Sequence, residues 1–228
     1  MLSFLKAGAA ALAISAALLT APSAAVAQDG GSITVTYKDD IATLDPAIGY
    51  DWQNFSMIKA IFDGLMDYEP GTATLRPGLA ESYEISPDGK VFTFKLRDGV
   101  KFHNGREMTA DDVKYSFERT VNPATQSPGA GFLASIDGFD AMQAGEATSL
   151  SGVEILDPKT VQVTLSRPDA TFLSVMALNF SFIVPKEEVE KSGADFGRNP
   201  VGTGAFKLAE WTLGQKLVLQ KNTDYYCE

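Results

Sequence analysis

The chain has 228 residues, a formal net charge of −10 and 45% hydrophobic residues, enough apolar side chain for one domain or two small ones. The acidic balance argues against a nucleic-acid partner, because binding the phosphate backbone needs clustered Lys and Arg. Cys227 is the only cysteine and His103 the only histidine, so we expect no internal disulfide, no cysteine-based metal or redox motif and no cofactor.

The first 27 residues have the pattern of a secretory signal peptide. Lys6 precedes an uncharged apolar run at residues 7–21, and Pro22 is followed by the small-x-small pattern at residues 25–27 that signal peptidase accepts. A membrane anchor is the alternative, but this run is shorter than the roughly 20 apolar residues of a spanning helix. We predict cleavage after Ala27 and, with no cysteine there to carry a lipid, a soluble periplasmic protein.

The next segment predicts a strand, an ordered loop and a helix. Residues 33–37 alternate β-branched and aromatic side chains, which indicates a buried opening strand. A proline-containing loop follows at residues 43–46, since the residue before a proline is pushed out of the helical region. From Gln53 to Leu65 the apolar residues recur at helical spacing, and Gly64 is typical of a helix end.

Turn residues and apolar periodicity predict the rest of the chain. A helix begins at Thr109, whose side chain and that of Asp112 suit the two ends of a capping box. Residues 122–151 are interpreted as loop with a short helix, and further short helices are expected within residues 170–178 and 185–189. The predicted hairpins pair residues 82–85 with 91–97, 153–156 with 161–165, and 205–211 with 216–220.

Several of these segments, in order, resemble solute-binding protein family 5, the periplasmic binding proteins of peptide and nickel importers. A single block would be weak evidence, whereas this many in the family's order is very specific. The blocks are residues 43–46 (TLDP), 61–65 (IFDGL), 75–83 (LRPGLAESY), 88–105 (DGKVFTFKLRDGVKFHNG), 109–113 (TADDV) and 200–208 (PVGTGAFKL), with Trp211.

The resemblance implies an α+β fold, a lobe of the type II periplasmic-binding-protein kind with an inserted antiparallel sub-domain. Residues 28–62 and 183–228 would form the core of the first lobe, and residues 63–182 the inserted sub-domain. Relatives have a second lobe that closes on the ligand, and this sequence lacks it. We therefore interpret the chain as a truncated form that binds poorly by itself, because closure removes the ligand from water.

The resemblance also implies the function: a monomeric, non-enzymatic substrate-binding component of an ABC importer. Its partners would be a di- or oligopeptide, or another small molecule, and the permease subunits at the inner membrane. The predicted ligand-binding residues are Tyr50, Asp51, Trp52 and Phe132. Trp52 could instead be a core residue at the helix start, and Phe132 a core anchor within its loop.

Two further features have structural and functional interpretations. His103 has no partner for a metal site and is expected to organise its turn with Asn104 and Gly105. The Gly-Thr-Gly segment at residues 202–204 either permits a tight backbone path or approaches the ligand cleft.

Other functions compete with transport. A secreted hydrolase would use Asp111 and Asp112, although acidic residues in a first helical turn are explained by the helix dipole. A binding protein that reports its ligand to a chemoreceptor would share the same sequence features. The sequence leaves the ligand open.

Overall fold

The computed structural model describes residues 31–227, so the predicted signal peptide at residues 1–27 lies outside the described residues. The chain divides into two compact units, Met1–Thr36 and Tyr37–Glu228. In the first unit, the described residues have no regular secondary structure, and Ile33 is 90% exposed. The strand predicted at residues 33–37 is therefore wrong. A strand needs a neighbour that pairs its backbone groups, and these residues join no ladder in the described chain.

In its described residues, 37–227, the second unit is a mixed α and β structure with three antiparallel sheets. Short 3₁₀ turns connect several of its elements. In chain order the helices and strands are α1 (Trp52–Ile61), β1 (Met66–Tyr68), β2 (Leu75–Pro77), β3 (Ala80–Ile85), β4 (Val91–Leu96), α2 (Ala110–Val121), α3 (Phe139–Gln143), β5 (Val153–Asp157), β6 (Thr160–Thr164), α4 (Phe172–Val175), α5 (Lys186–Ser192), β7 (Phe206–Thr212) and β8 (Lys216–Lys221).

The largest sheet has four antiparallel strands in the order β3-β4-β6-β5. It joins two predicted hairpins, and Gly89 in the first turn has the positive φ of 69° that glycine adopts without strain. Phe92 and Phe94 of β4 face Val163 and Val161 of β6 and are buried with them. Alternate residues of β4 face the other side of the sheet, as the sequence pattern predicts for a sheet with one buried face.

Helix α2 covers the buried face of this sheet and begins where the sequence predicts. The Asp112 carboxylate accepts a hydrogen bond from the backbone N–H of Thr109 at 2.9 Å, which is one half of a capping box. Val113 and Phe117 are fully buried on the side of the helix that packs against β5 and β6. Local capping and an apolar stripe thus place α2, and the side chains near its C-terminal end become important for the site.

The buried side chains form two hydrophobic clusters. The larger core joins the four-stranded sheet, α2 and α4 within residues 65–183. The smaller core contains Ile58, Ile61 and Phe62 near the end of α1, together with Phe196. Partly buried side chains of the β7–β8 hairpin pack against the smaller core. The molecule is therefore organised around two neighbouring centres of packing.

The helix predicted up to Leu65 is too long, because α1 ends at Ile61 and the chain then turns extended. Gly64 lies too close to its neighbours for a side chain, since a Cβ there would be 2.4 Å from the carbonyl oxygen of Met176. The β1–β2 hairpin that follows was not predicted. Among residues 31–227, no helix is long and apolar enough to cross a membrane.

Candidate functional site

The turn before α1 carries three of the four predicted ligand-binding residues. Tyr50 and Trp52 are 59% and 65% exposed, so the alternative of Trp52 as a core residue is wrong. The Asp51 carboxylate caps α1 by accepting hydrogen bonds from the backbone N–H and side-chain Nδ2 of Asn54, each at 2.8 Å. The ring of Trp52 lies 5.5 Å from that of Tyr37. The turn therefore presents two aromatic rings to solvent, while its carboxylate holds the helix.

Phe132, the fourth predicted residue, lies in the 3₁₀ turn Ala130–Leu133 and is 41% exposed, so it is no core anchor. Its ring stacks on Phe180 with 5.6 Å between centroids and 14° between planes. Tyr50 contacts the same Phe180 ring at 5.6 Å, and Phe55 lies 6.0 Å from it. We call Tyr50, Phe55, Phe132 and Phe180 the aromatic surface. Three separated chain segments thus meet at one ring.

Phe55 and Phe180 are not among the ligand-binding residues predicted from the sequence. Phe180 is only 2% exposed and forms the floor under the outer rings. Its carbonyl oxygen accepts a hydrogen bond from the Thr120 hydroxyl of α2 at 2.9 Å. Gly129 packs directly on its ring, since a Cβ at that position would lie 2.0 Å from Cγ of Phe180. No local sequence pattern signals this contact, because Gly129 and Phe180 lie about fifty residues apart in the chain.

The loop at residues 43–46 is fixed by an ion pair with α2. Both carboxylate oxygens of Asp45 accept hydrogen bonds from the Arg119 guanidinium, one of them at 2.8 Å. The backbone carbonyl of Asp45 accepts bonds from the N–H groups of Ile48 and Gly49. The family motif therefore has a structural role, because it holds the loop that leads to Tyr50.

A second group of polar side chains surrounds Asp63, just after α1. Its carboxylate accepts hydrogen bonds from the hydroxyls of Thr203 at 2.9 Å and Tyr225 at 3.4 Å. Burial, the largest cause, raises the pKa of Asp63 to about 6, and the hydrogen bonds with Thr203 and Tyr225 oppose that shift. Asp63 also lines a cavity of about 270 Å³ together with Arg97 and Tyr226. This cavity shares no lining residue with the aromatic surface.

The expected role of His103 within its own turn is wrong. Asn104 organises that turn by accepting the backbone N–H of Arg106 at 3.0 Å, and Gly105 supplies a φ of 90°. The His103 ring instead hydrogen-bonds to the backbone of Gly202 and Gly204. Among the described residues, no group of three His, Cys, Asp or Glu side chains is arranged to hold a metal ion.

The Gly-Thr-Gly segment at residues 202–204 follows a tight backbone path against α1, as one of its two interpretations predicts. A Cβ on Gly202 would lie 2.2 Å from the carbonyl oxygen of Ile61, and one on Gly204 would lie 2.5 Å from its carbonyl carbon. The N–H of Gly204 donates to the same carbonyl oxygen at 2.8 Å. Glycine permits this close approach of two backbones.

Asp112, one of the two carboxylates considered for a hydrolase, is already engaged. Asp112 accepts two hydrogen bonds from Arg106, at 2.9 and 2.6 Å, besides the bond to the Thr109 backbone. Arg106 also binds Glu187 of α5 at 2.6 Å. This network joins three elements, so Asp112 has a structural task at the helix start.

Comparison with known proteins gives a consistent family. The family model described as "Bacterial extracellular solute-binding proteins, family 5 Middle" matches residues 74–227. The unliganded open form of the murein tripeptide-binding protein MppA is a similar solved structure. Its TM-score is 0.78 at 35% identity, over 83% of this chain and 37% of that one. An oligopeptide transporter substrate-binding domain from Bacillus anthracis superimposes with a TM-score of 0.80 at 28% identity, over 84% of this chain and 38% of that one.

Curated relatives bind different solutes. The periplasmic murein peptide-binding protein MppA of Escherichia coli K12 is 34% identical over 90% of this chain and 38% of its own length. The dipeptide-binding protein of the same strain is 38% identical over 69% of this chain and 31% of its own. The probable deoxycholate-binding periplasmic protein YgiS is 35% identical over 82% and 36%. The chain thus spans about a third of the length of these relatives.

Proposed function

Because the chain belongs to family 5 of the bacterial extracellular solute-binding proteins, we propose that it serves the periplasmic uptake of di- or oligopeptides through an ABC importer. The aromatic surface carries this proposal. Its rings, which come from three chain segments, offer an apolar wall for a peptide side chain. Tyr and Phe rings bury large contact areas. Peptide-binding relatives among both the curated proteins and the solved structures support it.

The proposed domain division follows from the same family. Residues 28–62 and 183–228 would form the core of a first lobe, and residues 63–182 an inserted sub-domain. The two hydrophobic clusters support this division. The buried residues of the larger core lie between Leu65 and Ile183, and all those of the smaller core except Phe182 lie outside that range. A second lobe contributed by further chain would complete the ligand cleft, and the permease subunits would receive the ligand.

Export is part of the proposal. Relatives are named as periplasmic proteins, and the first 27 residues have the signal-peptide pattern described above. Mass spectrometry of the protein from a periplasmic extract should find Gln28 as the first residue. An intact Met1 in that extract would contradict cleavage after Ala27.

Peptide binding can be tested at the aromatic surface itself. The full chain, with ¹³C-labelled aromatic rings, is titrated with the tripeptides Ala-Phe-Ala and Ala-Ala-Ala to millimolar concentration. The first peptide should shift the ring signals of Tyr50 and Phe132, because its phenyl group can pack on them. Phe132→Ala should weaken the shift at Tyr50 several-fold. Tyr83, a 36% exposed ring on the four-stranded sheet, serves as the matched control. Equal shifts at Tyr83, or none at Tyr50 and Phe132, would count against a peptide site here.

A bile-acid-like ligand is the second candidate, favoured by the relationship to the probable deoxycholate-binding protein. An apolar steroid face could cover the same rings, since the surface consists of aromatic carbon. Deoxycholate belongs in the same titration, below its micellar concentration. A response to deoxycholate without one to Ala-Phe-Ala would replace the peptide proposal with this one.

A further inference from the structure

The His103 ring connects two parts of the chain that are far apart in sequence. Nε2 lies 3.0 Å from the carbonyl oxygen of Gly204, and the backbone N–H of Gly202 donates to Nδ1 at 3.3 Å. The backbone N–H of His103 donates to the carbonyl oxygen of Gly202 at 2.8 Å. Three hydrogen bonds therefore join one histidine to a tripeptide about a hundred residues later.

This geometry defines the protonation state of the ring. Since Nδ1 accepts a hydrogen bond from Gly202, it carries no proton, and Nε2 must carry the proton that it donates to Gly204. A second proton on the ring would sit on Nδ1 and face the N–H of Gly202. Two donors cannot hydrogen-bond to each other, so protonation breaks this contact.

The tripeptide at residues 202–204, on the other side of this contact, also connects α1 to the segment after β8. Gly204 donates its N–H to the carbonyl oxygen of Ile61 at the end of α1. Its own carbonyl oxygen also accepts the side-chain Nδ2 of Asn222 at 3.0 Å. Thr203 is fully buried and donates to Asp63. The β7–β8 hairpin starts directly after this tripeptide, so the hydrogen bonds that fix the tripeptide also fix the start of the hairpin.

The charges near the ring oppose a second proton. Burial is the main cause that lowers the pKa of His103 below its ordinary value, the positive charge of Lys207 on β7 lowers it further, and the hydrogen bond to Gly204 opposes both. Lys207 itself is 4.0 Å from Asp224. Across the tripeptide stand Asp63 and, bonded to it, Tyr225. Within residues 31–227, no carboxylate forms an ion pair with the ring that could stabilise its charged form.

We propose that His103 is an acid-sensitive latch: its neutral ring fastens residues 202–204, and with them the β7–β8 hairpin, to the turn after β4, and protonation releases them. The proposal rests on the contacts of this chain alone and is independent of the ligand. When the latch opens, the freed ring binds a proton at its ordinary affinity, so acid pulls the equilibrium toward the open form. The latch is fully closed above about pH 6.5 and weakens as the pH falls.

The test uses the single histidine of the full chain, whose imidazole ¹⁵N signals need no assignment by mutation. The expected result at pH 7.5 is the tautomer with hydrogen on Nε2. Between pH 7.5 and 5, the exchange protection of the Gly202 and Gly204 amides should fall relative to amides of β4, by up to the roughly thirtyfold that a freed ring with the ordinary pKa allows. All samples carry Asp63→Asn, which removes the titration of that carboxyl from the same pH window.

Two variants that replace His103 with a side chain that does not titrate test whether protonation of the ring causes the change. In His103→Asn the side-chain oxygen can accept a hydrogen bond from the Gly202 N–H at every pH, so the fall in protection should disappear. His103→Gln is the second non-titrating variant. Hydrogen on Nδ1 of the His103 ring in the Asp63→Asn protein would overturn the latch without any substitution of His103. A fall in protection of equal size with His103 present and in both His103 variants would overturn it as well.

Discussion

Asp45 and Arg119 form a bidentate ion pair with side chains only 9% and 12% exposed. The ring of Phe196 lies 5.5 Å from the guanidinium carbon and shields it from one side. Removing one partner of a pair that is this well buried leaves an uncompensated charge, which is more costly than the pair's net contribution. At the residue scale, this contact connects a family motif to the position of Tyr50.

We expect Asp45→Ala and Arg119→Ala each to lower the free energy of unfolding by about 3–5 kcal/mol. The double variant should lose much less than the sum, because no charge remains unpaired. Urea denaturation measures the free energy of unfolding of the two single variants and the double variant. The exposed pair Lys186–Glu190 on α5 is the matched control, and its removal should cost about 0.5 kcal/mol or less. Strict additivity at Asp45 and Arg119 would show that the two side chains act independently.

At the scale of elements, the β7–β8 hairpin depends on a backbone contact with α1. Gly204 has no room for a methyl group, as three backbone atoms of Ala60 and Ile61 would lie within 2.7 Å of a Cβ. Backbone atoms cannot move aside as the end of a flexible side chain can. The hairpin must shift away from the helix when this glycine is replaced.

Gly204→Ala should therefore lower the free energy of unfolding by about 1–3 kcal/mol, the usual cost of overpacking. Hydrogen exchange should become faster in β7 and β8 than in the four-stranded sheet. Gly131→Ala is the matched control, because nothing lies within 4 Å of a Cβ at that position. An equal loss of stability in both variants would show that the close contact of Gly204 with α1 is not the cause, since the entropy of the unfolded chain makes an unstrained Gly→Ala change stabilising.

At the scale of the whole molecule, stability should respond to pH through two groups of opposite sign. The pKa of Asp63 rises from 3.8 to about 6 on folding, so its stabilisation is complete below about pH 3.8 and is lost as the pH rises through 6. His103, whose pKa falls on folding, favours the folded state above about pH 6.5 and loses that contribution in acid.

Asp63→Asn removes the first of these contributions. Relative to the wild type, the variant should gain stability as the pH rises from 4 to 7.5, by up to about 3 kcal/mol. Asp67→Asn is the control, because hydrogen bonds from Lys59 and Arg76 outweigh burial and lower the pKa of Asp67. The contribution of Asp67 is therefore lost only as the pH falls below about 3.8, and the effect of this variant should change little between pH 4 and 7.5. Parallel urea titrations at both pH values measure the differences. A pH-independent effect of Asp63→Asn would show that its carboxyl does not titrate between them.

Much of this architecture is predictable from local sequence chemistry. Gly89 at a hairpin turn, Thr109 with Asp112 at a helix start, and alternating Phe92 and Phe94 each act over a few neighbouring residues. The strand predicted at residues 33–37 failed because side-chain alternation cannot reveal whether a partner strand is present. The family and its fold class were identified because their motifs follow in order along the chain.

The candidate site is less predictable. Tyr50 and Phe132 could be proposed from the family's sequence pattern, but their meeting on Phe180 depends on three segments whose proximity only tertiary packing creates. The contacts of His103 are similar, because its partners lie about a hundred residues away and are backbone atoms without a sequence signature. Short-range patterns therefore located the elements, whereas the contacts between them required the structure.

The carbonyl of Ile61 receives its hydrogen bond from Gly204 only after more than 140 further residues have been added to the chain. As the chain emerges from its N-terminal end, the four-stranded sheet can pair once β6 has emerged, before Gly204 does. Ile58, Ile61 and Phe62 must wait, with their apolar surface still uncovered, until that late segment arrives. The order in which the polypeptide is made therefore favours early completion of the larger core and late completion of the smaller one.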